Sequence, residues 1–149
     1  MQRAIPRMRT RKGFTLVELA VVIVIIGVLA AFGVPKFLPS VEKSKATEAF
    51  NYLAAIQASQ ERYLAQNGIY ATDPTTLDII LPTMKYFTPD AAIVAAQNAT
   101  GAPTWSMTCT RIVATSSYGA YTVNWSDTGF QSSSTIPATI CPVALPTSS

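Results

Sequence analysis

Glu18 is the one charge in the run 14–34, FTLVELAVVIVIIGVLAAFGV. A carboxylate in so apolar a stretch has two chemical fates. At the centre of a membrane it costs roughly 2.5–3.5 kcal/mol, and less near the edge. Five residues past Gly13, it is close enough to the end of the run to snorkel to an interface. The alternative is that it meets a cation. A cut between Gly13 and Phe14 would make that cation, an α-amino group on Phe14, able to pair with Glu18 of a neighbouring subunit. Glycine before the cut leaves the scissile bond accessible, since it has no side chain. The other reactive pair is Cys109 and Cys141, the only cysteines, with 31 residues between them. They read as a disulfide or as two buried free thiols. A bridge closing that loop would contribute roughly 3–4 kcal/mol on the chain-entropy view.

Other chemistry is excluded or weak. The 149 residues contain no histidine, which removes Ser-His-Asp and Cys-His nucleophiles and every His-based metal site. The acids Asp73, Asp78, Asp90 and Asp127 are scattered, and no Asp-x-Asp calcium loop appears. No catalytic constellation emerges, so no enzyme activity, metal or cofactor is expected. The formal net charge of +3 misleads, because five of the eleven basic residues (Arg3, Arg7, Arg9, Arg11 and Lys12) precede Gly13. From residue 14 onward 6 basic residues face 8 acidic ones, which is no footprint for nucleic acid. Asn98-Ala99-Thr100 and Asn124-Trp125-Ser126 match the glycosylation sequon, a pattern common by chance. Ser132–Ser134 and Ser148–Ser149 read as solvated loop serines before sugar acceptors. The aromatics Phe32, Phe37, Phe50, Tyr52 and Tyr63 suit helix packing better than a conducting stack.

The elements that position these residues are legible in outline. With 49% hydrophobic and 13% charged residues, the chain is no disordered polyelectrolyte. The run 14–34 spans roughly 32 Å as a helix, enough for a bilayer core. The basic cluster before it keeps that end cytoplasmic. The run is too long for a secretory signal and lacks a small-residue break. Both cysteines then lie outside the cytoplasm, where a disulfide persists. The helical pattern continues beyond the run. Val41, Ala46, Ala49, Phe50, Leu53, Ile56, Tyr63 and Leu64 form a 3.6-residue stripe interrupted at Gln60. Glu42, Lys43, Lys45, Glu48, Glu61 and Arg62 lie largely off it. Asn67-Gly68 is a natural stop. A helix over 14–66 would be about 80 Å long, its apolar half protruding and its amphipathic half lying on a domain. Pro35 and Pro39 should kink or loosen it, and Gly27 and Gly33 weaken it. Gly27 and Ala31 form a small-xxx-small pair.

Beyond residue 69 charge becomes sparse. Asp73-Pro74 reads as a cap and first position of a short helix or turn over 74–81. Strands are expected at 84–88, 92–96, 105–113 and 118–125, with a hairpin connection near Ser116, Ser117 and Gly119. The fold class is α+β: a small antiparallel sheet on the amphipathic half of one long helix. Its core is expected to hold Phe50, Leu53, Ile56 and Leu77.

RKGFTLVEL, followed by the apolar run, Gly27 and Pro35, resembles the prepilin signature of type IV pilins and the related type II secretion pseudopilins. The likeness covers roughly residues 11–66. It implies that residues 1–13 are a leader removed by a membrane prepilin peptidase after Gly13. Phe14 would then be the mature N-terminus and carry an N-methyl group. Glu18 would recruit the neighbour's Phe14 amine during assembly. The segment from Gly27 to Pro35 would be where the helix loses regularity in a filament. The resemblance also implies a C-terminal disulfide, Cys109–Cys141, around a variable surface region. Residues 14–39 would form the transmembrane and then filament-core helix, and 40–149 the periplasmic, later extracellular, domain. Many copies would polymerise into a helical pilus for adhesion, motility or DNA uptake. The subunit's partners would be membrane lipid, the peptidase and an inner-membrane assembly platform. A secretion pseudopilin or a minor pilin acting as a binding module is the alternative.

Overall fold

The computed structural model describes residues 13–116 and 118–144. The leader's basic residues Arg3, Arg7, Arg9, Arg11 and Lys12, together with Ser117, Ser148 and Ser149, lie outside the described residues. The chain divides into two compact units, residues 1–36 and 37–149. One helix, α1 (Leu16–Asn67), contributes to both and is assigned without a break through Gly27, Gly33, Pro35 and Pro39. It stops where the sequence asks it to. Gly68 takes φ 73°, and its N–H donates to the carbonyl of Leu64 at 2.8 Å, the left-handed ending that glycine allows without strain.

In the unit 37–149, α1 lies on a five-stranded antiparallel sheet, an α+β arrangement. β3 (Pro103–Arg111) is the central strand. β1 (Phe87–Pro89) and β2 (Val94–Gln97) both pair antiparallel with β3, on its 109–111 and 103–106 stretches. β4 (Thr122–Ser126) also pairs antiparallel with β3, and β5 (Gly129–Phe130) completes the sheet beside β4. The four expected strands exist, displaced by one to four residues at their ends. β5 was not expected, because two residues carry no periodicity. The segment 74–81 contains a single 3-10 turn, Pro74–Thr76, capped by the Asp73 carboxylate at 2.8 Å from the Thr75 N–H.

Alternation along β3 turns Trp105, Met107, Cys109 and Arg111 to the buried face, as a period-2 strand demands. Opposite them α1 presents Ala46, Ala49, Phe50, Leu53 and Ile56. Leu77 closes the core as expected. Phe50 is ringed by Trp125 at 5.7 Å and Phe130 at 5.0 Å between centroids. Two stripe positions need correction. Val41 is exposed, whereas Glu42, placed off the stripe above, is only 3% exposed. The spacing 42, 46, 49, 53 explains it: Glu42 lies one turn before Ala46 on the same face.

Polar side chains of α1 tie the connecting segments down. Glu48 accepts the backbone N–H groups of Lys85 and Tyr86, both at 2.8 Å. Gln57 accepts from the Trp125 indole at 2.7 Å and donates to the Asp127 carbonyl. Gln60 clasps Ala71 from both sides, donating to its carbonyl at 2.8 Å and accepting its N–H at 2.9 Å. Arg62 grips Asp78 with two contacts of 2.8 Å. The interruption in the apolar stripe at Gln60 is therefore a built contact.

Candidate functional site

The start of α1 is organised by four residues, Thr15-Leu16-Val17-Glu18. The Thr15 N–H and hydroxyl both donate to Glu18 Oε2 at 2.9 Å. The Glu18 N–H donates back to Thr15 Oγ1 at 3.2 Å. This reciprocal capping box satisfies two of the backbone donors that a helix N-terminus leaves unpaired. It also places a carboxylate at the positive end of the helix dipole. The local signal for this box is the threonine three residues before the glutamate in TLVE, and it adds a third role to the two fates considered for the Glu18 charge. Among the described residues no hydrogen bond reaches Glu18 Oε1. The carboxylate is exposed, and one oxygen stays free to accept a cation.

Gly13 and Phe14 precede the helix in non-helical backbone, both exposed, with open space around Gly13. The peptide bond between them is thus presented at a helix entrance. From Leu16 to Val34 every large apolar side chain is exposed. The helix passes, by length and composition, as a membrane span. Gly27 and Ala31 are exposed within this stretch, and nothing stands where a side chain on Gly27 would project. Pro35 sits one residue before the division between the two units.

A second polar constellation lies inside the unit 37–149, and no motif announced it. Arg111 and Glu42 form a buried ion pair, 2.6 Å between Nε and Oε1. Tyr121 donates its hydroxyl to the same Glu42 oxygen at 3.0 Å, and Lys45 stands 3.4 Å from the other. Arg111 also donates to the carbonyls of Tyr86 and Ile112 and stacks on the Tyr86 and Phe87 rings. Burial works to raise the Glu42 pKa. The hydrogen bonds from Arg111 and Tyr121 and the nearby positive charge outweigh it, so the carboxyl lies below its usual value. The signal was the charge of Arg111 at an inward position of an alternating strand.

Cys109 and Cys141 are both buried in the one hydrophobic core cluster, and each carries a free thiol in this structure. Burial, with the charges of Asp90 and Glu48, pushes the Cys109 thiol up to about 12. The acids stay dispersed. Asp73 caps the 3-10 turn and Asp78 pairs with Arg62, whose hydrogen bond holds the Asp78 carboxyl below its usual range. Asp73 and Asp90 do line one open cavity of about 340 Å³ with Tyr52. No group of three potential metal ligands occurs among the described residues. Asn98 caps an exposed turn, its Oδ1 accepting from Thr100 and Ala102. Asn124 is paired inside β4, with its Nδ2 donating to Ser133.

Comparison with known proteins agrees with this geometry. The family described as "Prokaryotic N-terminal methylation motif" matches residues 8–34. The chain is similar to the fimbrial protein EcpC of Eikenella corrodens, 31% identical over 104 residues, covering 70% of this chain and 67% of that one. It is also similar to the type II secretion system core protein G of Vibrio cholerae, 36% identical over 75 residues, half of each chain (50% and 51%). The type IV major pilin protein PilA of Myxococcus xanthus is 38% identical over 60 residues, covering 40% of this chain and 27% of that protein. The chain therefore spans about half the length or less of the last two. No solved structure matches it.

Proposed function

The chain belongs to the type IV pilin family, a family of structural subunits and not enzymes, and from that premise we propose that it is the building block of an extracellular type IV pilus. The observation that carries this reading is the fully exposed apolar stretch of α1, whose one charge is held in its first turn. In a membrane that surface faces lipid. In a filament it faces the same surface of other copies. The contact is heterologous and non-closing, as an open helical filament requires.

In this reading residues 1–13 form a cytoplasmic leader. A prepilin peptidase cuts after Gly13 and methylates Phe14. Loss of the basic leader removes the topological anchor, and an inner-membrane platform draws the subunit from the bilayer. Residues 14–39 then line the filament core and 40–149 the outer surface. Glu18 Oε1 receives the Phe14 amine of a neighbour. Since an unpaired buried charge is costly, misplaced subunits are rejected. Gly27 and Pro35 are where the helix yields to filament packing. Cys109 and Cys141 close a disulfide outside the cytoplasm, supported by their burial in one cluster.

The similarity to secretion protein G supports a second reading, a periplasmic pseudopilus that drives export. One preparation separates the two. Cells are sheared, filaments pelleted, and the dominant small protein analysed by intact mass and N-terminal sequencing. A chain beginning at methylated Phe14 and two hydrogens light from a disulfide is the outcome expected of a pilus subunit. The same processed chain found only in the envelope, with a secretion defect on deletion, would establish the pseudopilus. An uncut chain in the envelope would overturn both.

A further inference from the structure

We infer that the outer edge of β2 is a docking site for an extended, uncharged peptide of another protein, which joins the sheet as an added strand. The inference holds for a pilus and a pseudopilus subunit alike, and concerns the unit 37–149 alone.

Two backbone contacts fix which way β2 faces. The Ile93 N–H donates to the Thr72 carbonyl at 2.9 Å, away from β3. The Asn98 N–H donates to the Ala102 carbonyl at 2.8 Å, on the β3 side. Backbone groups alternate in direction along an antiparallel strand. Both contacts therefore put Val94 and Ala96 in the ladder with β3 and turn the N–H and C=O of Ala95 and Gln97 outward. The register agrees, because Gln97 stands opposite Pro103, which has no N–H to give. Among the described residues no hydrogen bond reaches the outward groups of Ala95 or Gln97.

These residues line a cavity of about 400 Å³, within the roughly 300–1,000 Å³ of ligand sites. Its other wall is the segment 68–72, which is joined to the strand at Thr72. None of the lining residues is charged, and nothing stands where a side chain on Gly68 or Gly101 would project. Opposite Ala95 on β3, Trp105 meets Tyr70 of the far wall at 6.4 Å between ring centroids. Its buried indole N–H has no acceptor among the described residues.

What the site accepts follows from what it offers. A row of unpaired N–H and C=O groups at strand spacing is complementary to another extended backbone. Sheets guard exposed edges with lysine, other charges or proline. Val94-Ala95-Ala96-Gln97 has none of these. A charged side chain entering the cavity would lose water without gaining a counter-ion, so the residues that face it are uncharged.

The test uses the full chain in detergent micelles, with a fluorescein-labelled Ser-Val-Ser-Val-Ser peptide as probe. Anisotropy should show saturable binding. Amide exchange at Ala95 and Gln97, fast in the free chain, should slow by at least about tenfold when the probe is bound. The same peptide with N-methyl groups throughout should bind at least about tenfold more weakly, a comparison that leaves the chain unaltered. Ala95→Pro removes one outward N–H at the kind of edge position where a sheet tolerates proline. It should weaken binding about three- to tenfold. Equal binding of the N-methylated probe, or slowed exchange that bypasses Ala95 and Gln97, would overturn the strand contact. So would the absence of saturable binding at about 1 mM probe. Amides of Ala95 and Gln97 that are protected without probe and lose protection on dilution would show the edge filled by a second copy, which overturns the peptide as its occupant. None of these outcomes bears on the filament reading.

Discussion

Glu42 and Arg111 show how a charged pair earns its place in a core. At 3% and 1% exposure, neither ion survives there alone. Removing Arg111 leaves buried Glu42 only Lys45 and the Tyr121 hydroxyl, and breaking a buried pair costs about 3–5 kcal/mol. Arg111→Met should therefore lower unfolding free energy by that amount in denaturant titration. Glu42→Leu combined with Arg111→Met should lose less than the two single changes together, since no ion is left behind. The pair also gives the domain an acid limit. The Glu42 carboxyl is depressed in the folded state, so its contribution is complete above its ordinary value near 4.5 and fades as pH falls through the folded pKa. A midpoint temperature that drops below about pH 4.5 in the native chain, and drops less in the Leu-Met double variant, is the expected result. Cys109 makes a related point. With its thiol pushed up to about 12, it is protonated at neutral pH and a poor nucleophile. Reduced, folded protein should leave Cys109 unalkylated at pH 7.5 until denaturant is added. Rapid labelling of Cys109 in the native state would contradict the buried thiol.

At the scale of elements, the helix was legible and its partners were not. The apolar run, the 3.6 stripe and Asn67-Gly68 mark α1 almost to the residue, because periodicity and capping are local signals. The capping box Thr15-x-x-Glu18 is equally local, a threonine three residues before a glutamate at the helix start. The strands were found but displaced, since their ends are set by pairing with β3 and not by composition. Gln60 could be recognised only as a break in the stripe. Its partner Ala71 lies beyond the helix end, and no spacing rule connects the two. That clasp gives an element-scale prediction. Gln60→Leu makes the stripe continuous and more apolar, but leaves the N–H and carbonyl of buried Ala71 without partners. Each orphan costs about 1–3 kcal/mol, and burying the leucine side chain returns part of the sum, so the variant should be less stable by about 2–3 kcal/mol in urea. A stabilised variant would show that the clasp merely fills space.

For the whole molecule, the exposed surface of residues 16–34 and the closed core of 37–149 are two solutions to burying apolar area. The core of 37–149 is closed within the chain, and the surface of 16–34 is left to a bilayer or, in the proposed filament, to other copies. Apolar packing is non-directional, and Glu18 is the one charge in the run 14–34 that could fix a register in the proposed filament. It has two duties, capping its own helix through Oε2 and, in the proposed filament, receiving a neighbour's amine. These duties are separable by substitution. Glu18→Gln keeps a capping-box partner for Thr15 but removes the charge. Thr15→Val removes the hydroxyl and leaves the charge. If charge sets the register, the Gln variant should be cut and methylated at Phe14 yet yield few filaments, behaving like Glu18→Ala. The Val variant should be cut and should assemble. Intact mass of the envelope and sheared fractions reads both steps at once. Full filament yield from Glu18→Gln would assign Glu18 to the helix cap alone, leaving close approach at Gly27 and Ala31 to determine how neighbouring helices align.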